Sequence, residues 1–111
     1  MSSSALEVLA IAESSQTFRW MMEKQPELRA LLIDAADVAR SGPSRASLIQ
    51  VLTIVTTATD KRVDATCKGD DAELAKWTRI ASQASEDLGR LLKQLVPTAV
   101  PIGDDVSSAP N

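Results

Sequence analysis

The chain has 111 residues, of which 44% are hydrophobic and 24% charged, and its formal net charge is −3. This length and composition predict one folded domain with a modest core and exclude a wholly disordered chain. The acidic charge, without any block of Lys and Arg, argues against nucleic-acid binding, and a sequence with no histidine excludes His-based triads and most zinc sites.

The first helix is predicted to run from Ser4 to about Lys24. Ser4 and Glu7 have the spacing of a capping box, in which each side chain bonds the backbone N–H of the other residue. Apolar residues then recur along one side of the helix: Val8, Ile11, Phe18 and Met22. The polar residues 14–17 interrupt this stripe and indicate either a bend or a turn at the surface.

A second helix is predicted to begin at Pro26, because proline is best tolerated in the first turn, where its missing N–H has no helical partner. Its apolar face comprises Leu28, Leu31, Leu32, Ala35 and Ala39. Gly42 and Pro43 are predicted to end it, since glycine adopts left-handed backbone angles easily and proline cannot continue the helix.

The segment from Ser44 to about Cys67 is rich in Thr, Val and Ile, whose propensity alone favours a strand. Its apolar residues nevertheless recur at helical steps, as Leu48, Leu52, Val55 and Thr59. No second β-rich segment exists to pair with a strand here. We therefore predict a helix.

A turn at residues 68–71 precedes the last helix, predicted from Asp71 to Val96 and ended by Pro97. Apolar residues recur in this helix at alternating steps of three and four: Leu74, Trp77, Ala81, Ala84, Leu88, Leu91 and Leu95. Such a heptad stripe is typical of helices that pack side by side, and it places Trp77 in the core.

These elements predict an all-α fold, a small antiparallel bundle of about four helices whose first two are either separate or one kinked helix. Residues 1–96 form the predicted bundle domain. Residues 97–111, with three prolines, one glycine and small polar side chains, are predicted to form a flexible tail.

No motif in the sequence predicts catalysis, and we expect no enzyme activity, cofactor or metal. Cys67 has no histidine to activate its thiol, so we interpret it as a structural cysteine. The acids between Asp60 and Glu73 do not follow the spacing of a calcium loop and are interpreted as helix-end charges. No glycine-rich phosphate-binding loop is present in the sequence.

Phe18, Trp20, Met21 and Met22 form an aromatic and methionine cluster, a composition that suits both a core and an adaptable binding surface. Four such positions on one helix cannot all face the same way. Trp20 or Met21 is therefore expected to point away from the core. These four residues are the candidate partner-binding site.

The run from Gln25 to Ala36, followed after a Gly-Pro turn by residues 48–52, resembles small helical tail-assembly chaperones of tailed phages. Those proteins often carry a Pro-x-Leu start and an Ala-rich helix before a second apolar helix. The resemblance covers less than half of the chain. It implies a non-catalytic protein that binds other components of a phage tail.

The sequence therefore predicts a non-catalytic protein-interaction protein. We expect a phage or virion structural or assembly factor that works through helix–helix contacts with other proteins or with copies of itself. The alternative is a regulatory adaptor or inhibitor, similar to an antitoxin, that docks an apolar helix face on one target. No signal peptide or membrane-spanning stretch is predicted. We expect a cytoplasmic location, in the host cytoplasm or a virion if the protein is encoded by a phage.

Overall fold

The computed structural model describes residues 2–97, and these residues form five helices without a β-strand. The helices are α1 (Ser3–Glu13), α2 (Gln16–Lys24), α3 (Pro26–Val38), α4 (Gly42–Lys68) and α5 (Asp71–Leu95). The predicted all-helical class is confirmed, with five helices in place of about four. Of the predicted flexible tail, residues 98–111 lie outside the described residues.

The first predicted helix is two helices, and its predicted cap is wrong. Ser2 caps α1 by accepting from the Ala5 N–H at 3.1 Å. Ser4 is instead buried and donates to the carbonyl of Arg40 at 3.2 Å. The Glu7 carboxylate pairs with Arg45 on α4 rather than with a backbone N–H. Tertiary partners, Arg40 between α3 and α4 for Ser4 and Arg45 on α4 for Glu7, have taken both side chains out of the local capping pattern.

The polar interruption in the first stripe is a corner that separates α1 from α2. Ser15 caps α2 by accepting from the Phe18 N–H at 3.2 Å, and its hydroxyl donates to the Asp60 carboxylate of α4 at 2.7 Å. Ser15 itself is completely buried. The corner therefore lies against α4 and is no surface turn.

The boundaries of α3 to α5 follow local signals in the sequence. Pro26 occupies the first turn of α3, as predicted. Gly42 is predicted to end α3. It has the expected positive φ, 78°, but α3 ends earlier, at Val38, and Gly42 is the first residue of α4. Gly69 caps α4 in the left-handed conformation at a φ of 70°. Asp70 then caps α5 by accepting from the Glu73 N–H at 3.1 Å.

The β-branched segment is helical throughout, as its periodicity predicts. Several threonine hydroxyls in α4 donate back to backbone carbonyls of the preceding turn, among them Thr53 to Ile49 at 2.7 Å and Thr59 to Val55 at 2.7 Å. These bonds satisfy polar groups on the helix without any partner strand. The low helix propensity of threonine is thus overridden by the tertiary burial of Leu48, Leu52 and Val55.

Helices α4 and α5 form a long antiparallel hairpin, and the short helices α1, α2 and α3 pack on the half of it that lies away from its turn. On α5 the core residues are Ala84, Leu88 and Leu92. Near the turn the hairpin buries mainly small residues, such as Ala65 and Ala81. The prediction that Trp77 lies in the core is wrong: this side chain is only half-buried, because no short helix covers the turn half.

Candidate functional site

The four residues of the candidate partner-binding site have separate surroundings. Phe18 and Met22 are 2% and 4% exposed and belong to the core, so neither side chain is freely exposed. Trp20 is 57% exposed and stacks with Lys24, whose Nζ lies 5.7 Å from the ring centroid. Met21 is half-buried. The expectation that Trp20 or Met21 points away from the core is therefore confirmed for Trp20.

A groove of about 530 Å³ separates α2 from α5, and α4 forms its floor. We call it the α2–α5 groove. It exists because α2 packs on α1, α3 and α4, whereas α5 packs on α4 and α3. Its larger apolar lining residues are Phe18, Met21, Leu28, Val55, Leu88 and Leu92, and Ala81 also lines it. Met21 therefore lines this groove, and Trp20 does not.

The α5 wall of the groove is built from small residues. Ser82, Ser85 and Gly89 line it at helical steps of three and four. A Cβ atom added to Gly89 would have no other atom within 4 Å, which shows that space beside this wall is open. Small side chains let another chain approach the helix backbone closely.

Arg62 lies where the α2–α5 groove continues toward the hairpin turn. It lines both the groove and an extension of about 330 Å³, which also contains Thr66, Cys67 and Leu74. Arg62 is the one charged residue among the described residues that line these two spaces. Its side chain makes no ion pair or hydrogen bond with any of residues 2–97.

A polar cleft of about 160 Å³ at the hairpin turn collects most of the acids considered above as a calcium loop. The Asp64 carboxylate lies 3.0 Å from the Lys68 ammonium. This hydrogen bond and the charges of Asp64, Asp70 and Glu73 raise the pKa of Lys68 above its ordinary value. No group of three or more potential metal-binding side chains occurs within residues 2–97.

A third cleft, of about 360 Å³, lies on the other face of the hairpin between Val51, Ile54 and Ile80. It is formed by α4 and α5 alone, and Gln83 and Asp87 line its α5 side.

The Cys67 thiol is exposed, at the extension of the α2–α5 groove. Within the described part of the chain no helix combines the length and the apolarity needed to span a bilayer.

Sequence reasoning missed the groove and its charged residue. The spacing of Ser82, Ser85 and Gly89 beside the heptad stripe was a visible signal of a close-approach face. Arg62 carries no such signal, because only the fold shows that its side chain has no partner among residues 2–97. Comparisons of the chain with protein-family models, with curated proteins and with solved structures gave no match.

Proposed function

We propose that this chain is a non-catalytic protein-interaction protein that holds the apolar face of a partner helix in the α2–α5 groove. The observation that carries the proposal is the groove itself, a mainly apolar space of about 530 Å³ with four helices around it and a wall of small residues. Binding of an amphipathic helix in an apolar groove is a common mode of protein recognition.

The shape of the groove favours a helix over a small ligand. A helix presents apolar side chains at steps of three and four along one face, and such a face can contact the half-buried Met21 of α2 and Leu28 of α3. Ser85 and Gly89 on the other wall allow its backbone to come close. The apolar lining supplies the free energy of binding, since burial of apolar surface is the main favourable contribution to protein association.

The assembly of a phage or virion is the setting we propose for this binding. It is supported by the resemblance of the run from Gln25 to Ala36 to tail-assembly chaperones. Most of that run lies in α3, which contributes Leu28 to the groove. An assembly factor of this kind works by covering an apolar helix of another component until that component finds its place.

A matched pair of variants in the full-length chain tests the proposal. Ser85→Tyr places a bulky side chain on the groove wall, whereas Glu86→Tyr places the same side chain one residue away, where no described cleft is lined. Both positions are exposed, so neither change is expected to unfold the protein. Affinity capture from the source cells, followed by light scattering of the purified complexes, measures binding and mass.

The proposal predicts a protein captured by the native chain and by Glu86→Tyr, and lost with Ser85→Tyr. A complex built of several different components supports an assembly role, and a small complex with one target supports the regulatory alternative. A strictly monomeric protein that captures no partner contradicts the proposal. Equal capture by the two variants would show that the groove is not the binding surface.

A further inference from the structure

The chain leaves α5 beside one end of the α2–α5 groove. Leu92 lines the groove, and α5 ends at Leu95, with the Val96 N–H donating to the Leu92 carbonyl at 2.8 Å. Residues after Pro97 therefore start next to the groove. Arg62 lies toward its other end, the end nearer the hairpin turn.

The segment after Pro97 is long enough to reach Arg62. At 1.5 Å per residue, Pro97 and Ala81 are about 24 Å apart along the axis of α5, and Ala81 lines the groove together with Arg62. An extended chain spans about 3.3 Å per residue, so the seven residues from Pro97 to Asp104 span about 23 Å. Asp104 and Asp105 can therefore come level with Arg62.

The residue types of this segment suit an extended strap over an apolar floor. Pro101 restricts the preceding Val100 to extended backbone angles. In an extended chain Val100 and Ile102 point to the same side. When that side faces the groove, both side chains contact its apolar lining. Asp104 lies on the same side of the extended chain and comes level with the Arg62 guanidinium, which has no partner among residues 2–97.

We propose that residues 98–106 occupy the α2–α5 groove of their own chain, with Val100 and Ile102 against its apolar lining and the carboxylate of Asp104, on the same side of the extended chain, paired with Arg62. The charges are complementary, because Arg62 is the single described charge along the groove. The regulatory meaning rests on the proposed function: the seated segment covers the surface that a partner helix needs, so the partner must displace it.

The single cysteine of the sequence provides a probe at the groove. A nitroxide attached to Cys67, which is exposed and lines the groove extension, broadens amide signals of residues near it in the full-length ¹⁵N-labelled protein. The control label is at Gln83→Cys in a Cys67→Ser background. Gln83 lines the cleft on the opposite face of the hairpin and is close enough to Pro97 along α5 for an unseated segment to reach it.

If the segment occupies the groove in about half or more of the molecules, the nitroxide at Cys67 lies near it. The amide signals of Ile102, Asp104 and Asp105 should then lose about twofold more intensity with the Cys67 label than with the Gln83→Cys label. Arg62→Gln, at an exposed position, is expected to remove most of this difference. Equal broadening by the two labels overturns the proposal. A second experiment mixes ¹⁵N chains that carry no nitroxide with nitroxide-labelled ¹⁴N chains. Broadening in this mixture would show that the segment lies in the groove of a second copy, which also overturns the proposal. The measurement needs no partner protein, so its result is separate from that of the capture experiment.

Discussion

Ser15 is the residue whose replacement tests the architecture most directly. Ser15→Ala removes the side-chain cap of α2 and leaves the Phe18 N–H without its acceptor, in a part of the core where Ser15 and Phe18 are both buried. Loss of a helix cap costs about 1 kcal/mol. The bond to Asp60 adds less than the usual bond to a charged group, because Asp60 is exposed and water replaces the lost donor.

Together these losses predict that Ser15→Ala lowers the free energy of unfolding by about 2 kcal/mol, which moves the urea midpoint down by about 1 to 2 M for a protein of this size. Urea unfolding followed by far-ultraviolet circular dichroism measures the shift. The matched control is Ser14→Ala: Ser14 is exposed and donates only to the Ile11 carbonyl of its own helix. We expect that control to change stability by less than about 0.5 kcal/mol.

A double-mutant cycle with Asp60→Ala isolates the contact between the corner and α4. We expect a coupling energy of about 0.5 to 1 kcal/mol between the two positions. Ser15→Ala and Ser14→Ala with equal midpoints would refute the reasoning, because they would show that the buried cap contributes nothing. Strict additivity of Ser15→Ala and Asp60→Ala would refute the link between the two helices.

Three further changes have expected outcomes. Ala84→Leu overpacks a buried position of α5 and should destabilise the fold by about 1 to 3 kcal/mol in thermal melting. Ala75→Leu, at an exposed position of the same helix, should have little effect. Equal melting temperatures of the two variants would mean that the stripe faces a loosely packed partner. Gly89→Ala should stabilise α5 by about 0.5 to 1 kcal/mol because a Cβ fits there, and Gly69→Ala should destabilise by about 1 kcal/mol or more because its φ is positive; the opposite order in urea unfolding would contradict both. The raised pKa of Lys68 means that its bond to Asp64 adds stability at neutral pH, and this stability is lost as the pH rises through that pKa. Lys68→Met should abolish this loss at alkaline pH. A pH profile of the urea midpoint that is the same in Lys68→Met and the native chain would count against the bond.

The start and end of most helices could be predicted because their signals are local. Pro26, Gly69 and Asp70 act on the backbone within one turn, so their effects need no knowledge of the fold. Ser4 and Glu7 also carry a local signal, but partners about 36 to 38 residues away in the chain outcompete it. A capping pattern therefore predicts a helix start only where no tertiary partner claims the same side chains.

The partial exposure of Trp77 and the existence of the groove could not be predicted from the sequence, and both for the same reason. Periodicity shows which face of a helix is apolar, but not how far along that face other helices reach. The heptad stripe of α5 extends over the whole helix, whereas α1, α2 and α3 cover only half of the hairpin. Trp77 lies beyond that cover, and the α2–α5 groove lies at its edge.

The start of α2, one wall of the groove, is fixed by the polar bonds of Ser15. The Ser15 hydroxyl accepts from the Phe18 N–H as the cap of α2 and donates to Asp60 of α4, so it ties the start of α2 to α4. At its other end α2 stops after nine residues, where Pro26 begins α3. Ser15→Ala should therefore alter the groove as well as the stability. This links the energetics of one buried hydroxyl to the surface on which the proposed binding depends.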